Sequence, residues 1–332
     1  MRVTRELLLN LAQEQANKMA AKDPSIQCIY LVGSLLGETA FLGGVTDIDL
    51  VLVHDHPVPQ PREIVRINSE VHLDIAHLQD TVYDPPRRLR EDAWIGGSLD
   101  VGPRMLFERY HWFDFVRASA CAQYWQSEHR MARARGFAAA SRRAWQTLVD
   151  ENPQGLKRTQ LYLDALRDCA DSLVVLDGLP LSPRRFMLDL PERMREQDLS
   201  DFTGLFVAQF ANDSVSEEQL EKWHGQWLES YDALKGSKDA PVKYCPTRRN
   251  YYEKAIEVLA TDHPAAALWL LLTTWTEIAA FLPKSAPEYK NWQSFLRVLD
   301  LDSKNMPERI ESLDSLLDRV ETTLDQVAAE SV

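Results

Sequence analysis

Residues 47–53 read Asp-Ile-Asp-Leu-Val-Leu-Val, an acidic pair that leads into an unbroken aliphatic run. Such a run, rich in β-branched residues, predicts a β-strand. Because side chains along a strand point alternately to its two faces, Asp47 and Asp49 are predicted to share one face, opposite Ile48. Two carboxylates would then project side by side from a rigid element.

A second apolar run, Cys-Ile-Tyr-Leu-Val over residues 28–32, precedes this strand and ends at Gly33-Ser34. Glycine permits a tight turn there and leaves backbone N–H groups exposed. A turn of this kind can bind phosphate oxygens. Gly33 and Ser34 are therefore candidate phosphate-binding residues.

A third run, Val-His-Leu-Asp-Ile-Ala-His-Leu over residues 71–78, follows the acidic strand. Its alternation places Asp74 on the face opposite Leu73 and Ile75. Each motif alone is commonly a turn or a solvated strand edge. In this order they favour a functional site, because burying carboxylates without a metal or another partner is costly.

Three carboxylates at one sheet edge suit Mg²⁺, which prefers hard oxygen ligands and often binds substrate phosphates as well. In a two-metal site the ions clamp the attacking and leaving oxygens of a displacement at phosphorus. Asp47 and Asp49 are the predicted bridging ligands. Asp74 is predicted either to bind a second ion or to accept the proton of the attacking hydroxyl, and the sequence leaves both roles open.

The order of these motifs resembles the DNA polymerase beta-like nucleotidyltransferase superfamily. Within it, the chain is similar to the small-molecule branch that includes aminoglycoside adenylyltransferases. The resemblance covers the first third of the chain. It implies that Gly33 and Ser34 contact nucleotide phosphates, that Asp47 and Asp49 hold Mg²⁺, and that Asp74 is the third acidic position. It also implies a helical domain after the catalytic one.

The pattern of apolar residues changes along the chain. Residues 1–125 combine an opening helix with short apolar strands and Pro-rich turns, whereas residues 126–332 are almost wholly helical in pattern. The predicted fold class is α+β, a mixed sheet with helices followed by an all-α bundle. The predicted helices of this second domain span residues 130–149, 156–176, 217–235, 251–259, 265–282 and 310–327.

A bound triphosphate needs cations besides Mg²⁺. The candidates in the helical half are Arg167, Arg184 and Arg185. The last two follow Leu-Ser-Pro at residues 181–183, where a helix is predicted to begin. The alternative for each is an ordinary solvated arginine on a helix face.

The net charge of −13 restricts the partners. Both predicted domains are acidic, which argues against nucleic acid bound through phosphate neutralisation and suits a small cationic acceptor. The four cysteines lie far apart without a C-x-x-C pair, so neither a zinc site nor a disulfide framework is predicted. This cysteine pattern fits a reducing cytoplasm. The most apolar segment, residues 265–282, is interrupted by polar residues and is expected to be a buried helix rather than a membrane span.

These observations predict a Mg²⁺-dependent nucleotidyltransferase. It would move AMP from ATP, or a monophosphate from another nucleoside triphosphate, onto a hydroxyl of a small acceptor such as an aminoglycoside, and release pyrophosphate. One alternative is modification of a protein hydroxyl or a tRNA end, as in toxin–antitoxin pairs. Another is a nucleotide-binding regulator without turnover. The acceptor, the base and the oligomeric state stay open.

Overall fold

The computed structural model describes residues 4–37, 40–212, 215–235, 237, 239–302 and 304–330. The chain forms two compact units. The first contains Met1–His129 and Pro241–Lys254, and the second contains Arg130–Ala240 and Ala255–Val332. A domain boundary between residues 125 and 126 was predicted, with every later residue in the second domain. The structure instead places the segment 241–254 in the first unit. It belongs to the first unit because its residues hydrogen-bond there to His72, Asp47 and Ser69.

The first unit contains a mixed five-stranded sheet with strand order β3-β4-β2-β1-β5. Strands β2 and β4 pair in parallel, and the other neighbouring strands are antiparallel. The elements are α1 (Arg5–Lys22), β1 (Ile26–Val32), β2 (Thr46–His54), β3 (Arg62–Arg66), β4 (Val71–Gln79), α2 (Ile95–Asp100), β5 (Arg104–Glu108) and α3 (Trp112–Cys121).

The two faces of the sheet bury different cores. Ile48 and Ile75 lie in the core that includes residues of α1, such as Leu8. Val51 and Val53 lie in the opposite core, which includes residues of α3. Because successive strand residues alternate between faces, the acidic residues at the start of β2 lie on the α3 side of the sheet.

The second unit is helical. Its helices, including the two that begin in the first unit, are α4 (Ser127–Asp150), α5 (Leu156–Val174), α6 (Phe186–Glu196), α7 (Asp201–Phe210), α8 (Glu217–Ala233), α9 (Arg249–Asp262), α10 (Pro264–Ala279), α11 (Pro287–Val298) and α12 (Met306–Glu330). The predicted α+β class with a helical C-terminal region is therefore confirmed. A helix was predicted to begin after residues 181–183, and α6 begins there at Phe186. Its extent was not predicted, because Pro191 obscures its pattern. Helices α7 and α11 were not predicted.

Helix α10 forms the centre of this unit, and most of its residues are buried. Its hydroxyls pair with indole groups of neighbouring helices: Trp227 Nε1 donates to Thr274 Oγ1 at 3.0 Å, and Trp292 Nε1 donates to Thr276 Oγ1 at 3.1 Å. These bonds satisfy polar groups that would otherwise be costly to bury. Across the described residues, no helix has the length and apolar character to cross a membrane.

Candidate metal centre

Three carboxylates converge where β2 and β4 begin. Asp49 pairs directly with Asp74 in the parallel ladder, and Asp47 lies two residues earlier on the same face. One carboxylate oxygen from each residue lies within 4.8 Å of the other two. Asp47 and Asp74 are buried, whereas Asp49 is half-buried. The structure thus brings together the three acids that strand alternation placed on one face.

The Gly33-Ser34 turn lies directly against this cluster. Gly33 has a φ of 83°, a conformation that favours glycine. A Cβ at this position would overlap Asp49 Oδ2 and lie 2.9 Å from the Asp49 carboxyl carbon. A short 3₁₀ helix, Ser34–Leu36, follows, and Arg5 Nε donates to Leu35 O at 2.8 Å. The absence of a side chain at residue 33 therefore lets the turn approach the Asp49 carboxylate.

Arg248 is one of two arginines of the cluster that the sequence pattern did not predict. Its side chain is 3% exposed, and it donates from Nη2 to Asp47 Oδ2 at 2.6 Å and from Nη1 to Asp74 Oδ2 at 2.9 Å. Its guanidinium carbon lies 4.3 Å from the Tyr251 ring centroid. Burial opposes its charge, but Tyr252, Tyr251 and the two aspartates hold the pKa of the guanidinium above its ordinary value.

A second arginine binds Asp74. Arg62 donates from Nε to Asp74 Oδ1 at 2.7 Å and from Nη2 to Oδ2 at 2.6 Å. This bidentate geometry is the strong form of an arginine–carboxylate pair. The bond to Asp74 raises the pKa of Arg62. Unlike Arg248, the Arg62 side chain is 46% exposed, so solvent weakens its contribution.

Asp49 has a different environment. Among the described residues, no hydrogen-bond donor contacts its carboxylate, although Asp47 and Asp74 lie beside it. Burial and the charges of those two aspartates raise the pKa of the Asp49 carboxyl well above its usual range, and Arg248 and Arg62 oppose this only in part. The immediate surroundings of Asp49 therefore favour an additional cation.

The donor set fits a hard divalent cation such as Mg²⁺. It consists only of carboxylate oxygens, and these are close enough to share one ion. The glycine turn leaves no side chain between the backbone and Asp49. The residues that would hold the ion are Asp47 and Asp49, since Asp74 already accepts three bonds from the two arginines.

His72 makes its hydrogen bond outside the acidic cluster. It shares the Asp74 face of β4, yet its Nε2 donates to Thr247 O at 2.9 Å rather than to Asp74. Burial lowers the pKa of His72, which favours the neutral ring. His72 therefore holds the segment 241–254 beside β4, and so helps to position Arg248.

The three arginines predicted to bind a triphosphate all lie in the second unit. Arg167 pairs with Asp164 at 3.0 Å, and Arg185 pairs with Asp189 at 3.2 Å. Arg184 is buried. Their predicted role toward a nucleotide stays a prediction, as does phosphate binding by Gly33 and Ser34.

Sequence signals for the two missed arginines are weak. Arg62 begins β3, which has only two apolar residues and follows a Pro-rich stretch, so no strand was predicted there. Arg248 lies in the short Pro-Thr-Arg turn at residues 246–248, far along the chain from Asp74. The one local cue is a buried-strand acid that needs a counter-charge, which predicts a basic partner without identifying it.

Known proteins give little guidance to this site. No protein-family model matches the chain, and no curated protein matches it. Among solved structures, the chain is similar to a nucleotidyltransferase-like protein from Exiguobacterium sibiricum, with 15% sequence identity and a TM-score of 0.34. The similarity covers 95% of this chain and 91% of that chain. A TM-score this low supports no conclusion about activity.

Proposed function

We propose that this protein is a metal-dependent nucleotidyltransferase whose reaction takes place at the Asp47, Asp49 and Asp74 cluster. The observation that supports this most directly is the convergence of three carboxylate oxygens within 4.8 Å beside a glycine turn. Clustered carboxylates on a sheet lower the stability of the fold unless a cation offsets their charge. Such destabilising charge clusters are typical of functional sites. The resemblance of the motif order to nucleotidyltransferases agrees with this proposal.

Each residue of the site has a proposed role. Asp47 and Asp49 would hold Mg²⁺, which when bound withdraws charge from the phosphates of a nucleoside triphosphate. The backbone N–H groups of the Gly33-Ser34 turn would bind phosphate oxygens. Asp74, whose oxygens accept from Arg62 and Arg248, is the proposed acceptor of the hydroxyl proton rather than a metal ligand. Pyrophosphate would be the leaving group.

The proposed acceptor is a small hydroxylated molecule, with a cationic aminoglycoside-like compound as the leading example. The net charge of −13 supports this choice because an acidic protein attracts cations and repels polyanions. AMP from ATP is the proposed transferred group. A protein hydroxyl is a less favoured acceptor, and a tRNA end is disfavoured by the same charge argument.

The test uses ATP labelled at the α-phosphate, Mg²⁺ and a panel of aminoglycosides and related amino alcohols. The expected result is a labelled acceptor and an equal amount of pyrophosphate, both lost in Asp49→Asn. Asp55→Asn is the matched control, because Asp55 is an exposed acid beyond the end of the same strand. Absence of pyrophosphate above background with every acceptor would contradict the small-molecule proposal, and a labelled protein or RNA in a lysate would redirect it.

A second candidate function has one observation in its favour. Arg62 and Arg248 already neutralise part of the acidic cluster, which leaves less carboxylate charge for a catalytic metal. A regulator of this kind would bind nucleotide and transfer nothing to any acceptor or lysate component. Nucleotide binding that survives Asp47→Asn and Asp49→Asn without metal would favour this candidate over the enzyme.

A further inference from the structure

We propose that Arg248 takes the place of a second metal ion, so that the acidic cluster binds one divalent cation rather than two. This inference rests on the proposed function, because it concerns the same carboxylates. Two-metal nucleotidyl transfer needs two positive centres beside the reacting phosphorus. The position of Arg248 supplies one of these charges from the chain itself.

Arg248 bridges two of the three carboxylates. Its Nη1 and Nη2 atoms donate to Asp74 Oδ2 and Asp47 Oδ2 at 2.9 and 2.6 Å. An ion shared by Asp47 and Asp74 could avoid the two oxygens that this guanidinium contacts only by binding Asp47 Oδ1 and Asp74 Oδ1, and Asp74 Oδ1 already accepts from Arg62. Such an ion would also lie close to a full positive charge in a buried site, where repulsion is stronger than in water.

The surrounding segment holds Arg248 in this position. The guanidinium stacks on Tyr251, with 4.3 Å between its carbon and the ring centroid. His72 Nε2 donates to Thr247 O at 2.9 Å, and Asn250 Nδ2 donates to Ser69 O at 2.7 Å. Contacts on both sides of residue 248 thus fix the segment to β4 and to the turn before it. These contacts hold the buried Arg248 side chain against the carboxylates.

Asp74 has little remaining capacity for a metal. Oδ2 accepts from both Arg62 and Arg248, and Oδ1 accepts from Arg62. Of the carboxylate oxygens of the three aspartates, those that accept no hydrogen bond from the described part of the chain are Asp47 Oδ1 and both oxygens of Asp49. These suffice for one ion that completes its shell with water and phosphate oxygens, as Mg²⁺ usually does.

The test counts bound ions in the full chain. The protein is dialysed against Mn²⁺ and α,β-methylene-ATP, which cannot release pyrophosphate, and the ratio of bound Mn²⁺ to bound analogue is measured at saturation. We expect a ratio of one. A ratio of two would overturn the inference and leave the proposed function standing. A ratio of zero, with analogue bound and no Mn²⁺ bound beside it, would overturn both this inference and the proposed function.

Variants identify which arginine excludes the second ion. Arg248→Ala is expected to raise the ratio from one to two, and Arg248→Lys to keep it at one. Arg62→Ala is the matched control, since Arg62 binds the same Asp74 but does not contact Asp47, and its expected ratio is one. A folded Arg248→Ala protein, judged by circular dichroism, that still binds one ion would contradict the inference. If that variant does not fold, the wild-type ratio decides.

Discussion

Arg248 Nη2 lies 2.6 Å from Asp47 Oδ2, although 201 positions separate the two residues in the chain. This contact joins the residue immediately before α9 to the strand that carries the acidic pair. It explains why the segment 241–254 belongs to the unit that contains the sheet. The candidate metal centre therefore includes the buried guanidinium of Arg248 as well as the three carboxylates.

Replacing Arg248 with alanine should destabilise the sheet unit. Removal of one partner from a buried ion pair leaves the other charge unpaired, at a cost of about 3–5 kcal/mol. Arg62→Ala should cost about 1 kcal/mol, because the Arg62 side chain is 46% exposed. Hydrogen exchange of β2 and β4 peptides in each variant measures the two costs. Equal effects of the two substitutions would contradict this ranking.

Gly33→Ala should disturb the metal centre, and Gly44→Ala should not. Both glycines have positive φ, 83° and 74°, so each substitution costs on the order of 1–3 kcal/mol of backbone strain. Only at Gly33 would the new Cβ overlap Asp49 Oδ2, because nothing lies within 4 Å at Gly44. We expect Mn²⁺ affinity to fall at least about tenfold in Gly33→Ala alone, which corresponds to about 1.4 kcal/mol. Calorimetric titration measures both affinities.

Asp171 should make the second unit less stable as pH rises. Burial raises the pKa of this carboxyl to about 7, and Leu181 N donates to its Oδ1 at 2.9 Å. The folded state therefore binds the proton more tightly than the unfolded state. Protonation of Asp171 therefore contributes fully to the free energy of unfolding below about pH 4. This contribution is lost as pH rises to about 7, by at most about 1.4 kcal/mol per pH unit.

Asp171→Asn isolates this effect, because an amide oxygen can still accept from Leu181 N. The thermal midpoint of the variant relative to wild type should rise between pH 5 and pH 8. Asp177→Asn, at an exposed acid shortly after α5, is the control and should show no such trend. A constant difference between Asp171→Asn and wild type across this range would contradict the burial argument.

Strand alternation was enough to predict the acidic cluster. Asp47, Asp49 and Asp74 lie in apolar runs whose period of two fixes the face of each side chain. The pairing of Asp49 with Asp74 needed only that the two strands be neighbours in register, which the structure shows. Long helices with regularly spaced apolar residues, such as α12, were predicted in the same way, from a local pattern.

Arg248 could not be predicted because its partners are distant in sequence. Nothing within residues 246–248 distinguishes this turn from a solvated helix start. Its position follows from tertiary contacts, namely the stack on Tyr251 and the bond from His72 to Thr247 O. Arg62 was missed for a different reason, since the edge strand β3 has too few apolar residues to show a strand pattern.

The most direct test of the central claim measures nucleotide binding with and without metal. ATP is titrated into wild type and Asp49→Asn by calorimetry, first with Mg²⁺ and then with a chelator. If Asp47 and Asp49 hold the ion that binds the triphosphate, wild type should bind ATP at least about 100-fold more tightly with Mg²⁺, a difference of about 2.7 kcal/mol. The Asp49→Asn protein should lose that difference. Equal ATP affinity in wild type with and without Mg²⁺ would contradict the account.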